Sequence, residues 1–214
     1  MAGPFVARFR AVVEPLFGRP FTEADGISDA DLDTAQERCG YELPEALRDF
    51  YTVVGNFDPV LTAHNRFYSP GGLYRLDGKL VFCEENQVVV YWGYEEDQGW
   101  RADPPVYQGV NNDEVEWYVE AGRCSDFLAG MIYWQALNGG LPHLRFAGAP
   151  ESVRQAAPAW PLVWQDKDSQ VFSRGSLVFC LTRREQGAEV QAAALVEGQL
   201  DELWRVLGLG AGPV

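Results

Sequence analysis

The chain has 214 residues, of which 47% are hydrophobic, and its aromatic residues comprise 7 Trp, 9 Tyr and 12 Phe. A composition this apolar can bury a substantial core, which excludes an intrinsically disordered chain and suits one domain over residues 1–214. The formal net charge is −14, which excludes nucleic acid and anionic membranes as favoured partners because an acidic surface repels both.

The first quarter of the chain predicts three helices. Apolar residues recur at helical spacing over residues 5–16. A second helix is expected over residues 29–39, because Ser28 is a favourable N-cap and Gly40 a favourable residue just past a helix end. A third helix is expected to begin at Pro44, since the missing N–H of proline costs nothing at the first helical position.

Strand patterns follow these helices. Residues 79–83 and 87–94 are rich in β-branched and aromatic side chains, and residues 84–86 between them are typical of a turn. The pair is therefore predicted to form a β-hairpin. A short alternating run at residues 115–119 predicts one more strand.

The rest of the chain predicts a helix, a loop and a meander. Helical spacing returns at residues 127–137, with Ser125 as the expected N-cap. Residues 141–158 are rich in Pro, Gly and Ala and are expected to be a loop. Residues 158–208 predict an antiparallel meander followed by a helix at residues 199–207. Because helices and strands are segregated, the predicted fold class is α+β, with a mainly antiparallel sheet and helices packed on it.

Residue types suited to catalysis are sparse. His64 and His143 are the only histidines, and neither lies in a zinc-binding pattern. The chain has no GxSxG elbow and no Gly-rich phosphate loop after a strand, so we expect no enzyme activity, no cofactor and no metal. The N-terminus lacks a signal-peptide pattern, and we expect the protein in the cytoplasm. The four cysteines are widely spaced among apolar neighbours and are predicted to be buried reduced thiols: Cys39, Cys83, Cys124 and Cys180.

Acidic residues cluster in and after the predicted hairpin, with aromatic residues between them. Aromatic side chains anchor protein interfaces and acidic ones steer basic partners toward them. We predict a partner-binding surface formed by Glu84, Glu85, Glu95, Glu96, Asp97, Trp100, Asp113 and Glu114. Two alternatives stay open: that the aromatics belong to the core and the acids are merely solvated, or that paired carboxylates act as acid and base.

Three stretches in order resemble the SUKH superfamily, which includes fungal cell-wall-assembly regulators and bacterial immunity proteins. Residues 32–56 resemble its opening pattern, with Gly40, a Leu-Pro pair and an aromatic pair. Residues 80–93 are similar to its central hairpin, with Trp92 on the return strand. The third stretch is Asp103-Pro104-Pro105-Val106, followed later by Ser125-Asp126-Phe127-Leu128.

The resemblance covers about residues 28–140 and departs from the pattern at Val88, where a glycine is usual after the hairpin turn. It implies an α+β domain and a function class, since many bacterial members bind and neutralise toxins, often nucleases. The leading hypothesis is therefore a non-catalytic immunity protein that binds a basic, nuclease-type toxin. A regulatory adaptor of the same fold and a carboxylate-dependent hydrolase are the alternatives.

Overall fold

A computed structural model describes residues 3–148, 151–184 and 187–209. Over these residues the helices are α1 Val6–Phe17, α2 Asp29–Cys39, α3 Glu45–Val54, α4 Asp58–Leu61, α5 Cys124–Gln135, α6 Glu151–Ala156 and α7 Glu197–Val206. The strands are β1 Arg66–Phe67, β2 Tyr74–Leu76, β3 Lys79–Glu84, β4 Val90–Glu95, β5 Val106–Val110, β6 Glu116–Ala121, β7 His143–Ala147, β8 Leu162–Gln165, β9 Ser169–Arg174, β10 Leu177–Arg184 and β11 Gly187–Ala194. The fold class is α+β with helices packed on antiparallel sheets, as the sequence predicts.

The first sheet has the order β1-β3-β4-β5-β6, and β2 also pairs with β3. The predicted hairpin is confirmed as β3 and β4, with Lys79 opposite Glu95 and Glu84 opposite Tyr91. Its turn lies later than expected, because Glu84 still belongs to β3 and β4 begins only at Val90.

Capping residues in the sequence predicted well where the early helices begin and end. In α2 the Ser28 Oγ accepts a hydrogen bond from Asp31 N, and Gly40 ends the helix with a φ of 66°. Pro44 is the N-cap of α3 rather than its first helical residue. Its carbonyl accepts a hydrogen bond from Arg48 N.

The prediction that Ser125 caps α5 is wrong. The helix begins at Cys124, and Ser125 lies fully buried in its first turn. The capping acceptor is Asp103, whose carboxylate accepts hydrogen bonds from Ser125 N and from Ser125 Oγ, both at 2.7 Å. The N-terminus of α5 is therefore capped by a carboxylate from the preceding loop and not by the nearby serine.

The prediction of a loop over residues 141–158 is also wrong. This segment contains β7 and α6. Strand β7 lies at the edge of the second sheet, and its pairing with β11 is set by residues much later in the chain. A short edge strand specified by a distant partner leaves a weak local pattern. Residues 149 and 150 lie outside the described part of the chain.

The second sheet has the order β7-β11-β10-β9-β8, so the meander predicted after residue 158 is confirmed. One face, with Val171, Val178 and Cys180, shares a core with α1, α3, α5 and the first sheet. The other face packs against α6 and α7 around Phe179 and Trp204. Helix α5 therefore lies between the two sheets.

The cysteines are unpaired, as predicted: Cys83, Cys124 and Cys180 are buried, whereas Cys39 is half-buried. Among the described helices none combines the length and the apolar character needed to cross a bilayer.

Candidate functional site

The structure divides the predicted partner-binding surface between two ends of the first sheet. Glu85 follows β3 at the end where the β5–β6 turn, with Asp113 and Glu114, also lies. Glu95 ends β4 at the opposite end. Strand β4 has six residues, and the five steps from its first to its last residue span about 17 Å at ~3.4 Å per residue, so the eight residues do not form one patch.

Glu84 does not belong to any surface. It is 5% exposed, its Oε1 lies 2.8 Å from Arg66 Nη1, and its Oε2 accepts a hydrogen bond from Tyr68 Oη. The prediction that Glu84 contacts a partner is therefore wrong, because the carboxylate is occupied by internal partners.

Two further acidic residues of the predicted surface also form ion pairs with basic residues of the same chain. Glu95 Oε1 lies 3.1 Å from Lys79 Nζ, and Glu96 Oε1 lies 2.6 Å from Arg75 Nε. Lys79 Nζ also lies 5.0 Å from the ring centroid of Tyr107. Reversing Glu95 or Glu96 to lysine would disturb these pairs, so such a variant tests the fold as well as binding.

The remaining predicted residues do reach the surface. Asp97, Asp113 and Glu114 are exposed, and Glu85 is half-buried. Trp100 is 75% exposed. These side chains stay a prediction for partner contact, but they lie in separate places.

A different site forms where the two sheets face each other beside α5. A cleft of about 360 Å³ opens between β4, β6, α5 and the strands β8 to β10. We call it the aromatic cleft and define it by its aromatic walls, its polar base and its acidic rim: Trp92, Phe127, Trp134 and Trp164; His64 and Asn65; Glu85, Glu120, Asp166 and Asp168.

Helix α5 supplies one wall of the aromatic cleft. Phe127, Met131 and Trp134 line it, and their spacing of four and three residues places them on one face of the helix. Trp92 of β4 packs on Phe127 with ring centroids 5.8 Å apart. The helix thus brings an aromatic stripe against the first sheet.

Gly130 lets the second sheet close this wall. A Cβ at position 130 would clash with the Trp164 indole, so only glycine allows Trp164 of β8 to lie directly on α5. This close approach of backbone and aromatic ring sets the width of the cleft.

Three polar atoms at the aromatic cleft are buried without a hydrogen-bond partner among the described residues. They are Asn65 Oδ1, Trp92 Nε1 and Trp134 Nε1. Leaving a buried donor or acceptor unpaired costs about 1–3 kcal/mol. Such groups are rare in native folds, and these three lie together behind the lining of the cleft.

Gln135 fixes the base of the cleft although it does not line it. Its Oε1 accepts hydrogen bonds from His64 N at 3.1 Å and Asn65 N at 2.9 Å. Its Nε2 donates to Val60 O at 2.9 Å and to Asn65 O at 2.7 Å. One fully buried amide therefore ties the segment carrying His64 and Asn65 to α5.

The rim of the aromatic cleft is acidic. Four carboxylates line it against one arginine, Arg184, and Arg184 Nη2 lies 3.5 Å from Glu189 Oε1. Burial lowers the pKa of His64, so its imidazole is neutral at neutral pH and does not offset the carboxylates.

Glu120 lies in an unfavourable environment for a carboxylate. Its side chain is exposed at the rim, but desolvation by the surrounding groups still raises its pKa, the nearby Asp166 carboxylate raises it further, and Lys167 opposes this. Asp166 is fixed in a turn, where its Oδ1 accepts hydrogen bonds from Asp168 N at 2.7 Å and Ser169 N at 2.6 Å. Like charges held close together are what a cationic ligand would stabilise.

No family model, curated protein or solved structure matches the chain.

Sequence reasoning missed the aromatic cleft because its residues come from five separate stretches of the chain. The helical stripe of Phe127, Met131 and Trp134 was visible as a helix face, but nothing local showed that it faces Trp164 or Asp166. The glycine at position 130, inside an otherwise strong helix pattern, was the one local signal of a close approach.

Proposed function

We propose that this chain is an immunity protein, a non-catalytic acidic binding protein that acts in the cytoplasm and neutralises a basic, nuclease-type toxin by direct binding. The observation that carries the proposal is the aromatic cleft, where indole rings and unpartnered buried polar atoms stand behind four rim carboxylates. Aromatic anchors in a desolvated pocket dominate binding energy at protein interfaces, and complementary charge speeds the encounter.

The overall charge supports the same proposal. A nuclease needs basic residues to hold its phosphate substrate. A chain with a net charge of −14 would attract such a protein over several ångströms and compete with its nucleic acid. The resemblance of residues 28–140 to the SUKH superfamily agrees with this role.

A carboxylate-dependent hydrolase is the second candidate, because the raised pKa of Glu120 beside Asp166 is also what a general acid would need. The variant Glu120→Gln distinguishes the two candidate functions. A hydrolase would lose turnover of its substrate while still binding it, whereas a binding protein would show weaker association and has no turnover to lose.

The proposed function is tested by expressing the chain with a toxin domain encoded beside it. We expect the chain to rescue growth, to form a stable complex with the purified toxin domain and to inhibit its nuclease activity at equimolar concentration. The association rate should fall steeply as salt is added, because charge steering is screened over about 8–10 Å at physiological ionic strength. Unimpeded toxicity with no complex at low salt would contradict the proposal.

A further inference from the structure

The lining of the aromatic cleft specifies the chemistry of its occupant. Asn65 Oδ1, Trp92 Nε1 and Trp134 Nε1 are buried behind this lining, so an occupant contacts the rim carboxylates and the half-buried rings of Trp134 and Trp164. The occupant must bring N–H donors for the carboxylates and a flat surface that packs on the indole rings. A basic side chain on a peptide segment carries both.

We infer that the aromatic cleft takes one arginine side chain, together with its flanking peptide, from the basic partner protein; this rests on the proposed function. The guanidinium group would donate to the rim carboxylates and pack on the indole rings of Trp134 and Trp164. The cleft volume of about 360 Å³ lies at the lower end of the range for small-ligand sites, ~300–1,000 Å³, which suits a single residue and its peptide bonds.

Charge complementarity requires a cation. Glu85, Glu120, Asp166 and Asp168 line the rim, and Arg184 beside them is paired with Glu189. Lys167 is also nearby, with its Nζ 4.0 Å from Asp168 Oδ2, but the four carboxylates outnumber it, so a neutral occupant would leave the rim negative. An anionic occupant would be repelled by them.

Arginine fits this lining better than lysine. Its planar guanidinium stacks on aromatic faces and presents five donors in a fork that matches carboxylates, whereas the lysine ammonium is compact and strongly hydrated. The walls of the cleft are formed by the rings of Trp92, Trp134 and Trp164, and its rim by paired acids. Both features favour a flat cation with several donors.

The same chain already holds a cation by this combination of groups elsewhere. On the opposite face of the first sheet, Lys79 Nζ lies 5.0 Å from the Tyr107 ring and 5.5 Å from the Trp117 ring. Glu95 Oε1 lies 3.1 Å from the same nitrogen. There the cation comes from the chain itself; at the aromatic cleft Asp166 and Asp168 are exposed and Trp134 and Trp164 are half-buried.

The test uses the ¹⁵N-labelled full chain and four small probes. These are Nα-acetyl-arginine N-methylamide, its citrulline analogue of equal shape without charge, its lysine analogue, and N-acetylglucosamine as a sugar that stacks on indoles. The indole N–H resonances of Trp92 and Trp134 are followed by NMR and assigned with the variants Trp92→Phe and Trp134→Phe.

The arginine probe should shift both resonances with a Kd on the order of 1–10 mM, as expected of one residue without a wider interface. The citrulline analogue should bind about tenfold more weakly and the lysine analogue several-fold more weakly. No shift of these two resonances would overturn the inference. Equal binding of citrulline, or tighter binding of the sugar, would also overturn it.

Matched variants locate the probe. Glu120→Gln combined with Asp166→Asn removes two rim charges and should weaken the arginine probe about threefold or more. Asp201→Asn combined with Glu202→Gln removes two exposed charges from α7 and should leave it unchanged. Equal effects of the two pairs would contradict binding in the aromatic cleft.

The result of the arginine-probe experiment can be distinguished from the result of the toxin-binding experiment that tests the proposed function. Failure of the arginine probe overturns this inference even if the chain neutralises a toxin through another surface. Failure to bind or neutralise the toxin overturns the proposed function even if the cleft binds arginine.

Discussion

Lys79 and Glu95 form an ion pair across the β3–β4 hairpin, with Nζ and Oε1 3.1 Å apart and side-chain exposures of 11% and 30%. Removing either member of the pair leaves the other charge uncompensated, and the cost is larger when the remaining charge is the more buried one, here Lys79. We predict that Glu95→Gln lowers the free energy of unfolding by about 1–2 kcal/mol and that Lys79→Met changes it by less than about 1 kcal/mol.

Urea unfolding of the two variants and wild type measures this difference. The slope of the transition should stay constant, which shows that only stability has changed. A larger loss for Lys79→Met than for Glu95→Gln would contradict the prediction.

Trp92 should be a large contributor to the stability of the core. It is 8% exposed and packs on Phe127, so Trp92→Ala is expected to cost about 3–5 kcal/mol. Trp92→Phe keeps an aromatic ring and removes the unpartnered Nε1, so it should cost less than about 1.5 kcal/mol. A loss below about 1 kcal/mol for the alanine variant, well under the usual range for a core aromatic, would mean that Trp92 does not hold the hairpin on α5.

Val88 lies in the turn of the β3–β4 hairpin with a φ of 61°, a left-handed conformation that is an outlier for a β-branched residue. The left-handed conformation costs a non-glycine residue ~1–2 kcal/mol, and a glycine at this position would remove that strain. Glycine loses more backbone entropy on folding, which cancels roughly 0.5–1 kcal/mol of the stability gained. We therefore predict that Val88→Gly stabilises the protein by up to about 1 kcal/mol.

Val89→Gly is the matched control, since Val89 is 49% exposed and its φ is not positive. It should be destabilising by roughly 0.5–1 kcal/mol. If thermal melting showed the two variants equally destabilised, the strain at Val88 would be refuted.

The thiols should differ in reactivity. Burial raises the pKa of Cys83 and of Cys124 well above its usual value, and it raises that of Cys180, so these groups stay protonated and slow to react. Cys39 is half-buried. Mass spectrometry after brief alkylation of the native protein should find one modified cysteine, Cys39, and four after unfolding. The melting temperature should be the same with and without reductant, whereas a disulfide or rapid labelling of a second cysteine would contradict this account.

Features set by neighbouring residues were predictable from the sequence. Helix α2 begins and ends at the predicted residues because Ser28 and Gly40 act within one turn of it. The hairpin was found for the same reason, since its two strands are adjacent in the chain. Features set by distant residues were not: Asp103 caps α5, and β11 specifies β7.

The same contrast between features set by neighbouring and by distant residues holds for the candidate functional site. The density of acids in the sequence indicated Glu84, Glu95 and Glu96, but the fold gives each of them an internal cation, Arg66, Lys79 and Arg75 respectively. Of the four carboxylates of the aromatic cleft, Glu85 follows β3 and belongs to the predicted surface, but the other three come from β6 and the β8–β9 turn. The chemistry of acids beside aromatics was predictable; its location was not.

The most direct test of the central claim is the affinity of a neighbouring toxin domain for matched charge variants of the chain. Removing two rim charges with Glu120→Gln and Asp166→Asn should weaken binding about tenfold or more. Because desolvation and Asp166 already raise the pKa of Glu120, the same variant should be no less stable than wild type. Removing two exposed charges from α7 with Asp201→Asn and Glu202→Gln should change affinity less than about twofold, as expected of exposed charges away from the site. Equal affinities for the two variants, with both folded, would contradict the aromatic cleft as the binding site.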